Sequence, residues 1–252
     1  MSPIQQAGIA CALILASALA GALLRKRLPE NHLTGDSKDV IKLAVALIAT
    51  MSALVLALLF ASTRTTFERT SSYVSRMTAD VTELDKLLTE YGPEARPLRA
   101  ALRAEIGPLI DSIWQDDAAQ RAASASTGAK GHGDTVLYML RELAPSNKIQ
   151  ASLQARALQV STDLDQTQLT LLSQPSDSIS NTFLVVLVIW LMFIFAVFSM
   201  SSPPNATLFT VLGLCILSAS AAIYLILELG LPFGGLMQVS NEALRSALKP
   251  LG

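Results

Sequence analysis

The chain has 252 residues, of which 51% are apolar and 15% charged, with a formal net charge of -1 and a mean hydropathy of +0.45. A charged content well below the about 25% of soluble domains points to a chain with much of its length in lipid. The near-neutral balance excludes the basic stripe of a nucleic-acid binder, and with both cysteines, Cys11 and Cys215, in apolar runs, the polar part has neither a disulfide framework nor a cysteine zinc site.

Four charge-free apolar stretches follow in order: Ile4–Leu24, Leu43–Ala61, Phe183–Met200 and Ala206–Leu227. At 1.5 Å rise per residue, each is long enough as a helix to cross a hydrocarbon core of about 30 Å. The expected fold is all-α: a polytopic membrane protein with four transmembrane helices as two hairpins and an inserted water-exposed helical bundle. The expected divisions are a hairpin over 1–63 (helices 4–24 and 43–61), a bundle over 64–180 and a second hairpin over 181–230 (helices 183–200 and 206–229). A turn and an amphipathic C-terminal helix follow over 231–252.

The first run has no positive charge before it and Arg25, Lys26 and Arg27 after it, the reverse of a secretory signal, so it reads as a retained anchor. The short loop Arg25–Lys42 also holds Lys38 and Lys42, and short cationic loops stay in the cytoplasm. The expectation is a multi-pass protein of the inner (cell) membrane, with the N-terminus, the bundle and the C-terminus outside. Small residues recur every fourth position at Gly8, Ala12, Ala16 and Ala20, and again at Ala49, Ala53, Ala57 and Ala61. Such stripes let two backbones approach where lipid removes the hydrophobic driving force, so the first two helices are expected to pack as a hairpin on these faces.

Helical periodicity runs through the central segment. Tyr73, Met77, Val81, Leu84, Leu88 and Tyr91 form one apolar face, and Leu98, Leu102, Ile106, Leu109 and Ile113 a second, with a kink expected at Gly107-Pro108. Leu153, Ala157, Val160, Leu164 and Leu171 form a third, and Val136, Leu137, Leu140 and Leu143 a shorter one. Gly92-Pro93 and Ala144-Pro145 are stops, and Ser146 and Asn147 are candidate caps. The first bundle helix is expected to continue from the second membrane helix through Arg64–Arg69. Gly128–Gly133 lacks the Lys-Ser/Thr pair and preceding strand of a phosphate loop and reads as an interhelix loop. No second histidine lies at helical spacing from His32 or His132, and no serine stretch has a nucleophile elbow or a neighbouring base, so no catalytic, cofactor or metal residue is expected.

In the third run, Trp190 sits mid-segment, where it packs against a neighbour rather than anchoring at headgroups. Ser201–Asn205 is a breaker. Glu228 is the one ionisable residue abutting the fourth run; an intramembrane acid lines a water path or pairs in the bundle, but at the outer end it can also reach the interface, the role expected here. Leu231-Pro232-Phe233-Gly234-Gly235 makes a rigid turn. Ser240 then reads as an N-cap, with Val239 and Leu244 as a hydrophobic staple for a short helix, Asn241–Leu248, lying on the outer membrane surface or against the bundle.

The run Ile226–Leu236, with Val239-Ser240 and Leu244 behind it, resembles the C-terminal signature of the bestrophin-like bacterial membrane proteins. So do Tyr91-Gly92-Pro93-Glu94-Ala95 with Arg96 and Arg99, Ile113-Trp114, Trp190 and Asn205. The resemblance implies a four-helix membrane protein with a likeness to bestrophin anion channels, and makes Glu228, Pro232, Phe233, Gly234, Asn205 and Trp190 the candidate pore or interface residues. Bestrophins follow this turn with acids that bind calcium; here Gly235-Leu236-Met237-Gln238 offers none, so calcium gating is not carried over. Four packed helices have no polar lining, so a pore needs several subunits around an axis. The reading is a homo-oligomeric ion channel in the lipid bilayer passing a small inorganic ion, with an anion as the candidate. The alternative is a membrane-anchored sensor or scaffold whose exposed domain, nearly half the chain, binds a partner.

Overall fold

The computed structural model describes residues 2–25, 36–114, 133–173, 181–201 and 205–251. Lys26, Arg27, His32, residues 128–132 of the glycine loop with His132, and Pro203-Pro204 lie outside them. The described elements are helices α1 (Pro3–Arg25), α2 (Asp36–Tyr91), α3 (Arg96–Ile113), α4 (Gly133–Glu142), α5 (Lys148–Ser173), α6 (Asn181–Ser201), α7 (Ala206–Leu229) and α8 (Glu242–Ala247). Short 3-10 turns lie at Pro93–Ala95 and Lys249–Leu251, and no strand occurs among the described residues. Among the same residues, four helices, α1, α2, α6 and α7, are long and apolar enough to cross a membrane.

Helix α2 runs unbroken for 56 residues because no glycine or proline interrupts it. Where its composition turns polar, hydroxyls bond carbonyls one turn back: Thr63 to Leu59, Thr65 to Ala61, Thr66 to Ser62 and Thr78 to Val74. The helix ends at Gly92, whose φ of 125° lies in the left-handed region that side chains disfavour.

The chain divides into two compact units, one of residues 1–66 and 177–230 and the other of 67–176 and 231–252. In the first, α1 packs along α6 and α7. Its buried face is Ala7, Ala10, Ile14, Ala18 and Gly21. Leu59 of α2 joins Ala7, Ala10, Leu187, Val188, Ile223 and Ile226 in one cluster, while Ile14, Ala18, Phe195, Leu212 and Ile216 form another. The Ser17 hydroxyl lies 3.1 Å from the Met192 carbonyl, across the α1–α6 contact.

The small-residue faces named from sequence are not the ones used within the chain. Gly8, Ala12, Ala16, Ala20, Ala53, Ala57 and Ala61 are exposed and Ala49 is half-buried, while Val45, Ser52, Leu59 and Thr63 turn inward on α2. The physical reason lies at Gly21. A β-carbon there would collide with the Ala196 carbonyl of α6, whereas one on Gly8 would meet nothing within 4 Å. Small residues occur on two faces of α1, and periodicity alone does not say which one a partner helix occupies.

In the second unit, the apolar stripes of α2, α3, α4 and α5 share one core. Met77, Val81, Leu84 and Leu140 are fully buried, and Leu88, Leu102 and Ile106 are nearly so. Helix α3 remains α-helical through Pro108. Asn147 caps α5, its Oδ1 accepting from the Gln150 amide at 2.8 Å, while the Gln150 side chain accepts from the Ser146 amide. Gln150 also donates to the Tyr91 carbonyl, and Gln154 to the carbonyls of Leu140 and Leu143, satisfying the ends of α2 and α4.

Candidate functional site

Within the first unit, Glu228 lies on the buried face of α7 with 2% of its surface exposed. This differs from the interfacial carboxylate expected from its position at the end of the run. Tyr224, one turn earlier on the same face, is hydrogen-bonded to the Glu228 carboxylate. A phenol at i-4 supplies a donor to an acid that would otherwise be costly to bury. Asn205 stands exposed before α7 with extended backbone, its carbonyl accepting from the Phe209 amide rather than its side chain capping. Trp190 is half-buried on α6. Arg25 closes α1 by donating from Nη1 to the Met200 carbonyl at 3.0 Å, which satisfies one orphan carbonyl in the last turn of α6.

The Pro-Phe-Gly turn belongs to the second unit. Phe233 meets Trp114 of α3 edge-on, with ring centroids 5.2 Å apart at 74°. The Trp114 indole Nε1 donates to the Val239 carbonyl at 2.7 Å, and the Val239 amide donates back to the Pro232 carbonyl at 2.8 Å, closing the loop. Positive φ is needed at Gly235 (84°), not at Gly234. The Ser240 hydroxyl accepts from the Glu242 amide, while Val239 and Leu244 are both buried in the shared core. The C-terminal helix is therefore bound to its own unit's helices. Arg99 ties the same region together: its Nε donates to Asp85 of α2 at 2.7 Å and its Nη2 to the Pro250 carbonyl.

Between α3 and the tail lies a polar cleft of about 810 Å³, lined by Asp111, Trp114, Gln238, Asn241, Glu242 and Arg245, among others. Its charges partly cancel, since Arg245 pairs with Asp111 at 2.7 Å. Among the described residues, no group of three His, Cys, Asp or Glu side chains could hold a metal ion. The candidate residues are thus divided. Glu228, Trp190 and Asn205 belong to the membrane-type unit, and Pro232, Phe233 and Gly234 to the other. Three acids escaped the sequence reading. Asp85 and Asp111 gave no signal, because their partners are 14 and 134 residues away. Asp80 did give one, being an acid between Met77 and Leu84 on an otherwise apolar stripe.

These elements define an all-helical membrane protein with four apolar spanning helices. The bestrophin-like domain model matches residues 12–244, and the chain belongs to the bestrophin-like family. Its structure is similar to that of a single-substitution variant of a bacterial bestrophin homologue from Klebsiella pneumoniae, with a TM-score of 0.70 and 15% sequence identity. The alignment covers 100% of this chain and 97% of the other. No curated protein matches the chain.

Proposed function

We propose that the protein is a homo-oligomeric ion channel of the cell membrane, with small inorganic anions as the permeant ions to test first. Family membership over residues 12–244 is the observation that carries this reading. The packing within one chain supports the oligomer: apart from Ser199, Ser220 and Glu228 the buried faces of α1, α6 and α7 are apolar, so a single subunit supplies no continuous polar path. The exposed small-residue faces at Gly8–Ala20 and Ala53–Ala61 are available to neighbouring subunits. The two apolar pairs form hairpins flanking an extramembrane helical domain. That domain and both termini lie outside the cell, a sidedness supported by the cations Arg25, Lys26 and Arg27.

Single-channel recording on the purified protein in planar bilayers tests the reading, together with its mass in mild detergent. The expected result is a stable oligomer that passes a chloride current. A monomer, or an oligomer without conductance, overturns it.

A further inference from the structure

The stripe position Asp80 is the feature of the second unit that the proposed conduction does not use. It lies 19 residues beyond the end of the apolar run at Ala61, and so outside that run. It sits beside Met77, Val81 and Leu84, all fully buried. Its Oδ2 is inaccessible to solvent, and no hydrogen-bond donor among the described residues reaches it. The residue as a whole is half-buried, and a carboxylate oxygen shut off from water without a donor is costly.

Four charged side chains act on it: Arg76 and Glu83 from α2 itself, and Arg156 and Asp163 from α5. Of the two cations, Arg76 acts on it more strongly than Arg156. Arg156 directs both Nε and Nη2 at Glu83 Oε1, each at 2.7 Å, and Nη1 at Gln159. Arg76 lies exposed. What remains on the α5 side is Asp163, a like charge. That like charge opposes ionisation of Asp80.

We propose that Asp80 is a proton-binding site between α2 and α5, which takes up a proton from solvent on acidification and thereby tightens the contact between these helices. Burial, followed by the Asp163 charge, raises the Asp80 carboxyl above its ordinary value of 3.8. The sign follows from linkage. The folded state holds a proton that the unfolded state releases, so stability rises as pH falls through the folded-state value and is lost as pH rises through it. Below the ordinary aspartate range both states are protonated and the dependence ends. Because α2 is one unbroken helix that also carries the second apolar run, the element that senses the proton is itself a membrane-spanning one.

The test uses the full-length protein in detergent and does not depend on conduction. Thermal midpoints are measured for wild type and Asp80→Asn from about pH 8 down to about pH 4, the ordinary aspartate range. Asparagine carries no charge to neutralise, so the variant is expected to be several degrees more stable at the alkaline end, with the gap closing on acidification. A gap that does not change with pH, or a variant less stable than wild type at about pH 8, overturns the proposal. Asp163→Asn keeps Asp80 but removes the like charge, and should move the wild-type transition to lower pH; an unmoved transition also overturns it. Should Asp80→Asn fail to fold, infrared difference spectra of wild type and Asp163→Asn decide. The protonated-carboxyl band is expected to form at higher pH in wild type, and its absence from both refutes the site.

Discussion

Gly21 of α1 lies directly against the Ala196 carbonyl of α6, so close that no β-carbon fits between them. The obstacle is backbone, not the movable end of a side chain, so the helices must separate if anything larger than hydrogen is placed there. Ser17, one turn earlier, reaches the Met192 carbonyl across the same contact. Here the two helices hold together through close packing and a hydroxyl, the means left to helices in lipid.

Gly21→Ala is therefore expected to destabilise the protein by about 1–3 kcal/mol, and Gly21→Leu to abolish folded protein. Gly8→Ala, at a position open within the chain, should not lower the thermal midpoint in detergent. Equal sensitivity at the two glycines would show that α1 packs otherwise.

The exposed stripes make a complementary test. Ala16→Leu and Ala53→Leu fall at exposed positions. Unfolding of the individual chain should be unaffected, while the mass in mild detergent should fall if these faces meet a second subunit. An unchanged mass assigns both faces to lipid.

Trp114 joins α3 to the tail through a ring contact with Phe233 and a hydrogen bond to Val239. Trp114→Phe keeps a ring but leaves the Val239 carbonyl without its donor, a loss of about 1–3 kcal/mol. Hydrogen exchange over residues 239–251 should accelerate. Arg245→Ala, which removes a pair more than half exposed on both sides, should cost no more than about 1 kcal/mol.

Glu228→Gln removes a charge while preserving a hydrogen-bond acceptor for Tyr224. We expect the oligomer to survive and the reversal potential to move toward anions, most at low salt where screening is weakest. A potential that does not move removes the carboxylate from the ion path.

Sidedness is tested with a periplasmic reporter fused after Thr127 or after Gly35. Activity is expected from the first and none from the second, from the cationic bias of the first loop. The inverse pattern places the 67–176 segment in the cytoplasm.

The helical class, the four apolar runs and the core stripes were legible because each depends on local periodicity, which packing then obeys: Met77, Val81, Leu84 and Leu88 fall on one face and are buried together. The Asn147 cap and the Gly92 stop were legible for the same reason, their partners lying within one turn. Which face of α1 meets a partner was decided only in three dimensions, since Gly8 and Gly21 are equally small and differ only in what stands opposite. The same holds for Glu228, whose sequence position suggests an interface and whose helix rotation buries it. Trp114 with Val239 and Arg99 with Pro250 are joined across more than a hundred residues. Periodicity carries information over a few turns of helix; which side chains meet across such separations is settled by how the helices pack.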